Sequence, residues 1–395
     1  MRKLWLSCHR WLALSLGWVL IVSGLTGAAL VVLRPLDQWF HPELFVAATP
    51  ACSAPLACEP GAGGAVAVAV ARPLVSLEHV RAKLASEFGQ QASFSFRPAR
   101  APDETLQVLV RGKWRGTVFI DPASGAEQGR RGEHEGAVAL LYRLHSALLL
   151  EQTGKAVLAC VALAYVLLMV TGLMLWWPRK WPPSLRVVLH KGLLRALFDV
   201  HRTGGALLAL GLCVCIASGA YLAWRPIGGW ISAASGVPRV VAPKLPELPS
   251  GAALNGVMPG EPLPLDTLAA RAQSAFPDGR IDLIQYTPRL DRPLTVRLHV
   301  PDDPHPNGRS TVWLDPRDGA ILARVRWSDL DPGTRINSVV YPLHTGELGG
   351  LVWQVCVAVL GVALGGLGIS GLWLWLRRRG ARAGAGAGRP SGVRP

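Results

Sequence analysis

Apolar residues in this chain gather into four long runs, at about 11–33, 156–177, 204–224 and 351–376. Each is long enough to cross a bilayer, which takes roughly 20 apolar residues. The first is too long for a cleavable signal core and has no small-x-small site before "RPLDQW", so it is expected to stay in the protein. Between runs the pattern changes. "SLEHVRAKLASEF" (76–88) and "PLDTLAARAQSAF" (264–276) have helical spacing behind a Ser or Pro start. Alternating stretches follow, "ETLQVLVRG" and "RGTVFID" in the first interval, "LTVRLHV" and "STVWLDP" in the second. "DPASG" and "DPRDG" are turn signals. The predicted fold is an α-helical membrane bundle of four transmembrane helices with two small α+β domains outside it. Segments 231–262 and 380–395, rich in Pro, Gly and Ala, read as linkers.

The chain is written twice. "HRWLALSLG" (9–17) resembles "HRTGGALLALG" (201–211), and "TVFIDPASGAE" (117–127) resembles "TVWLDPRDGAIL" (311–322). His145 and His344 are 199 positions apart, as are "TGLMLWWPR" (171–179) and "SGLWLWLRR" (370–378). The unit is span, outer domain, span. Both copies then share one orientation, with a pseudo-twofold axis along the membrane normal.

Charge gives that arrangement a direction. Of the net +15, segment 34–140 contributes nothing (11 basic, 11 acidic residues) and segment 225–340 only +1 (13 and 12). The remainder lies in "MRK", in "RKWPPSLRVVLHKGLLR" (179–195) and in the "RRRGAR" tail. Basic residues in short loops stay cytoplasmic, so both termini and the 179–200 loop are expected inside. The charge records topology and offers no nucleic-acid footprint. The expected order is transmembrane helix 1 over 1–40, the first outer domain over 41–136, and helix 2 with its preceding outer segment over 137–178. A cytoplasmic loop follows at 179–200, then helix 3 at 201–228, the second outer domain at 229–339, helix 4 at 340–378 and a cytoplasmic tail at 379–395. Cys52 and Cys58 fall in the first outer domain, where a disulfide is permitted; the other five cysteines read as packing residues.

One histidine stands at each span. His9 and His201 lie at the inner side, His145 and His344 at the outer side. The twofold axis would place His9 opposite His201 and His145 opposite His344. Facing imidazoles on related helices suit a bis-histidine haem, so two haems are expected, one near each face. Gly204 and Gly205, three and four residues beyond His201, and Gly349 and Gly350 beyond His344 would let a flat macrocycle approach. Arg10 and Arg202 flank the inner pair, and Arg34 and Arg225 end the first span of each copy; all four are candidates to hold haem propionates. His134 and His190 have no assigned role, and His41, His79, His299 and His305 read as surface or loop residues.

"FDVHRTGG", "YRLHSALLL", "TGLMLWWPR" and "YPLHTGELGG" resemble the PepSY-associated transmembrane family of bacterial inner-membrane proteins. The resemblance covers nearly the whole chain and makes the outer segments PepSY-like periplasmic domains. It implies b-type haem and, by analogy with members that reduce ferric siderophores, an oxidoreductase that releases iron in the periplasm. Some relatives append a flavin- and nicotinamide-binding domain; none is expected here, so the electron donor would be a quinol or a cytoplasmic reductase. Three alternatives remain: a haem-free regulator whose PepSY modules bind or inhibit a peptidase, a di-haem oxidoreductase with another acceptor, and, least favoured, a transporter.

Overall fold

The computed structural model describes residues 1–48, 74–178, 185–224, 226–236, 240–245, 262–289 and 291–387. Cys52, Cys58 and Arg225 lie outside the described residues. In chain order the helices are α1 (Arg2–Phe40), α2 (Pro42–Phe45), α3 (Leu77–Phe88), α4 (Gly136–Ala147), α5 (Glu151–Trp176), α6 (Leu193–Leu207), α7 (Ala209–Ala223), α8 (Pro226–Ala234), α9 (Leu265–Ala275), α10 (Pro332–Thr345) and α11 (Gly350–Ala387). The strands are β1 (Ser93–Arg97), β2 (Leu106–Arg111), β3 (Arg115–Ile120), β4 (Glu127–Gly132), β5 (Arg280–Tyr286), β6 (Leu294–His299), β7 (Ser310–Leu314) and β8 (Ile321–Val325). They form two compact units.

The first unit holds residues 1–33, 140–229 and 340–395 and is helical. Apolar runs become helices because a helix satisfies its own backbone where no water is present. Three helices, α1, α5 and α11, are long and apolar enough to cross a membrane. The third run differs from expectation: α6 and α7 are bent by 66° at Leu208, so they make a fourth crossing only if the bent pair counts as one span. The glycines Gly204, Gly205 and Gly211 flank the bend and weaken the helix there. α5 packs on α7 and α11 on α6. A core of Val19, Leu20, Val161, Tyr165, Leu212 and Leu360 fills the middle. α1 and α11 approach backbone to backbone, since a Cβ on Gly24 would lie 2.7 Å from the Gly361 carbonyl oxygen, the close contact small residues permit in bundles.

Two short breaks set up the site. Between α4 and α5 the chain turns through Leu148, Leu149 and Glu151, all with positive φ, a conformation that costs roughly 1–2 kcal/mol per non-glycine residue. The corresponding break between α10 and α11 uses Gly346 and Gly350 instead. In the first break Gly154 closes the turn, and a Cβ there would lie 1.6 Å from the Ala147 carbonyl oxygen. Replacing Gly154 with Ala is expected to destabilise the protein by about 4 kcal/mol, the diagnostic tail of point-mutation effects, read as a fall in melting temperature in detergent.

The second unit holds residues 34–139 and 230–339. Sequence analysis gave two separate α+β domains; the structure joins them. All eight strands form one antiparallel sheet in the order β4-β3-β2-β1-β5-β6-β7-β8. The seam is β1 against β5, with Phe94 opposite Tyr286, Ser95 opposite Gln285 and Phe96 opposite Ile284. Even-numbered residues such as Phe96, Val108, Ile284, Val296 and Val312 face one shared core under α3 and α9. The two helices are tied at their starts, where Asp266 accepts hydrogen bonds from the backbone N–H groups of Leu77 (2.8 Å) and Glu78 (3.0 Å) and from the Ser76 hydroxyl (2.6 Å). His305, expected at the surface, is buried. Its Nδ1 accepts from the Asn307 N–H, its Nε2 lies 2.9 Å from Arg309 Nη2, and burial first, then the charges of Arg309 and Arg297, push its pKa down to about 3.

Candidate functional site

All four span histidines belong to the helical unit. His9 sits in α1, His145 in α4, His201 in α6 and His344 in α10, each half-buried. The structure brings them together in two pairs. The ring centres of His9 and His201 are 6.4 Å apart, with planes at 85°. Those of His145 and His344 are 6.0 Å apart, with planes at 33°.

Each imidazole is anchored in the same way. His9 Nδ1 lies 3.2 Å from the Leu168 carbonyl oxygen and 3.0 Å from Thr171 Oγ1. His145 Nδ1 lies 3.0 Å from the Ser23 carbonyl oxygen and 3.2 Å from Thr26 Oγ1. His201 Nδ1 meets the Leu367 carbonyl oxygen (3.0 Å) and Ser370 Oγ (3.2 Å). His344 Nδ1 meets the Cys215 carbonyl oxygen (3.1 Å) and Ser218 Oγ (3.0 Å). A carbonyl only accepts. The hydroxyls spend their own protons one turn back: Thr26 donates to the Val22 carbonyl, Thr171 to Leu167, Ser218 to Val214 and Ser370 to Leu367. The proton on each ring must therefore reside on Nδ1, leaving Nε2 with its lone pair. Nε2 has no hydrogen-bond partner among the described residues in any of the four.

A glycine follows each anchoring hydroxyl, and the ring lies on it. A Cβ on Gly172 would be 3.2 Å from His9 Cε1, on Gly27 2.8 Å from His145 Cε1, on Gly371 3.2 Å from His201 Cε1 and on Gly219 3.1 Å from His344 Cε1. The seats are exchanged between helices. α5 seats the histidine of α1, α1 seats that of α4, α11 seats that of α6, and α7 seats that of α10. Along α1, His9 and Thr26 are 17 residues apart, about 25 Å at the helical rise, so the two pairs lie at well-separated levels.

The chemistry follows. A metal–imidazole bond is about 2 Å and the ring centre lies about 1 Å behind its nitrogen, so two rings gripping one metal from opposite sides have centres about 6 Å apart. Both pairs match that spacing. Donating the other ring N–H to a carbonyl is the usual support of a ligating histidine. Two nitrogens do not complete a coordination sphere, and no group of three or more metal-binding side chains occurs among the described residues. Any metal held between such a pair would need further donors from outside these side chains.

Around the pairs several buried polar atoms lack a hydrogen-bond partner: Arg10 Nε and Thr203 Oγ1 beside His9 and His201, Ser23 Oγ and Thr345 Oγ1 beside His145 and His344. Gly204 has no atom within 4 Å of where its Cβ would be. Of the other arginines, Arg202 is half-buried next to His201, while Arg34 falls in the other unit and is already engaged within the protein. His134 and His190 are exposed.

Sequence reasoning missed the seats and one acid. Thr26–Gly27, Thr171–Gly172, Ser218–Gly219 and Ser370–Gly371 form a fourfold hydroxyl–glycine motif. Its signal was available as spacing, since the motif falls 17 residues after His9 and His201 and 26 after His145 and His344. Asp199, buried two residues before His201, accepts from Arg195 Nε (2.8 Å) and the Val188 N–H (3.2 Å) and so ties the preceding loop to α6.

No curated protein matches the chain. Residues 6–378 match the family described as PepSY-associated TM region, a match that takes in all four histidines and all four seats. With its long apolar helices and its antiparallel sheet, this chain is a multi-pass membrane protein that belongs to the PepSY-associated TM region family.

Proposed function

We propose that this protein is a di-haem b oxidoreductase of the bacterial inner membrane that passes electrons outward to a periplasmic ferric siderophore. In this reading the chain crosses the membrane four times as a duplicated span–domain–span unit, the bent α6–α7 pair being one crossing, with both termini in the cytoplasm. The observation that carries it is the pair of imidazole pairs, each with Nδ1 committed to a neighbouring helix, Nε2 bare and ring centres about 6 Å apart. His9 and His201 would hold one haem, His145 and His344 the other. The glycine under each ring and the open space at Gly204 suit a flat macrocycle. The unsatisfied Arg10 Nε and Thr203 hydroxyl inside, and Ser23 and Thr345 hydroxyls outside, are donors in want of an acceptor; Arg10 and Arg202 would meet the inner propionates.

When bound, the two haems would supply one-electron redox steps at two levels of an about 30 Å hydrocarbon layer. The protein's part is to fix ligand orientation through the hydroxyl–carbonyl seats and to keep water out with the apolar middle core. An electron delivered to a chelated Fe(III) turns it to Fe(II), which hard oxygen donors hold less well, so iron is released. The electron enters from a quinol or a cytoplasmic reductase.

The test is anaerobic. Purified protein is reduced, a ferric siderophore is added, and the haem bands are followed. Their reoxidation with release of ferrous iron is the expected result. A red protein that stays reduced would keep the electron path and remove this acceptor. A colourless protein, one that takes up no haem on reconstitution, would overturn the reading and restore a haem-free regulatory role.

A further inference from the structure

A tryptophan at the end of a long apolar helix ordinarily keeps its ring in the headgroup layer and its N–H in reach of water. Trp177 and Trp373, 69% and 40% exposed, follow that habit. Trp176, the last residue of α5, does not. Its Nε1 is buried and has no hydrogen-bond partner among the described residues. An indole nitrogen only donates, and a buried donor is costly until an acceptor meets it.

The seat of His9 fixes where this indole stands. Gly172, under the His9 ring, lies four residues before Trp176. Both are therefore on one face of α5, about 6 Å apart along its axis. Two other helices bring donors of the same kind to this histidine pair. Arg10 Nε, on α1 beside His9, and Thr203 Oγ1, on α6 two residues after His201, are also buried without a hydrogen-bond partner. The neighbouring chain has no free acid to give them. Residues 1–36, 177–198 and 350–395 contain no Asp or Glu. Asp199, on α6, already accepts from Arg195 Nε and the Val188 N–H. Three donors on three helices thus share one lack, which a single anionic acceptor would meet.

We propose that Trp176 Nε1 binds a carboxylate of the group held between His9 and His201. The inference rests on the haem reading, in which that carboxylate is a propionate, and it adds a neutral donor to the cationic Arg10. A hydrogen bond to a charged acceptor is the stronger kind, and the indole ring is too rigid to swing away to another acceptor. The second copy differs here. Trp375 stands four residues after Gly371, as Trp176 does after Gly172, but it carries the Arg379 guanidinium over its ring at 5.4 Å, and its Nε1 is not among the buried atoms that lack a partner. The repeat is broken at this position, and the α5 indole alone takes the role.

The test follows haem release from full-length protein in detergent to an excess of apomyoglobin. His344→Ala, which is expected to keep only the haem of His9 and His201, assigns the phase that belongs to that pair. Trp176→Phe, which keeps an aromatic ring and removes the N–H, should speed this phase about tenfold or more, the scale of one lost bond to a charged acceptor. The other phase and the melting temperature should not change, and Trp375→Phe should release haem as wild type does. A second arm loads wild type and Trp176→Phe with the dimethyl ester of haem, whose propionates carry no charge. The two proteins should then release it at nearly the same rate. Equal release of ordinary haem by wild type and Trp176→Phe overturns the proposal. So does an equal acceleration with the ester, which would mean that the indole only packs or that it meets a lipid phosphate. A wild-type protein that takes up no haem would sink the haem reading and this inference with it; a haem-loaded protein indifferent to Trp176→Phe would sink this inference alone.

Discussion

Replacing His344 with Ala is expected to lower haem content from about two per chain to about one, with loss of one component of the split b-type spectrum. The same loss is expected from His145→Ala, because in the proposed site both rings would hold one group and neither nitrogen alone would replace the pair. His9→Ala and His201→Ala should remove the other component. Combining His201→Ala with His344→Ala should leave the protein colourless. The pairings are specific: His145 and His344 have centres 6.0 Å apart, His9 and His201 6.4 Å, and the two levels are separated by 17 residues of α1. Pyridine haemochrome titration of the purified variants reads the stoichiometry directly. An unchanged haem count in any single variant would refute the assignment for that residue.

The second large effect is expected at a residue that would touch no haem atom. Gly27→Leu should empty the proposed His145–His344 site as completely as His145→Ala does. The first carbon of the new side chain would lie 2.8 Å from His145 Cε1, and the ring is also held at Nδ1 by Ser23 and Thr26, so it has nowhere to move without breaking its anchor. Leucine is a better helix former than glycine, by up to about 1 kcal/mol, so the helix itself should not suffer. Loss of the component assigned to His145 and His344 with an unchanged or raised melting temperature of the haem-free protein is the expected signature. Gly172→Ala, where the same contact would be 3.2 Å, should cost far less. Retention of both haems in Gly27→Leu would show that the ring does not depend on this seat.

How much of this could be read from residues alone depended on whether the information was periodic. The four apolar runs, the alternation of "LTVRLHV" and the helical spacing of "SLEHVRAKLASEF" are local patterns, and they became α1, α5, the bent α6–α7 pair, α11, β6 and α3. The histidine pairs were legible because the chain repeats itself, and repeat symmetry converts positions in sequence into expected neighbours in space. What stayed hidden was tertiary. That Thr171 serves His9, 162 residues away, leaves no trace in any window; only the constant spacing of the hydroxyl–glycine pairs hints at it. The β1–β5 seam joins edge strands whose own alternation says nothing of their partner. The bend at Leu208 followed glycines that could equally have been read as small packing residues. His305 reads in the sequence as a surface or loop residue, yet the turn that carries it folds inward, where Asp303 takes its N–H at 2.9 Å.

The exchange of seats has a consequence for how such a chain can be divided. Neither half owns a complete imidazole pair: His9 and His145 come from the first, His201 and His344 from the second. A product cut off after α5 would carry two unmatched ligands and leave β1 as a bare sheet margin, inviting adhesion to whatever strand came near. If the pairs hold haem as proposed, cofactor loading would double as a completeness check on synthesis, since colour would develop only once the last span had been made and had met the first.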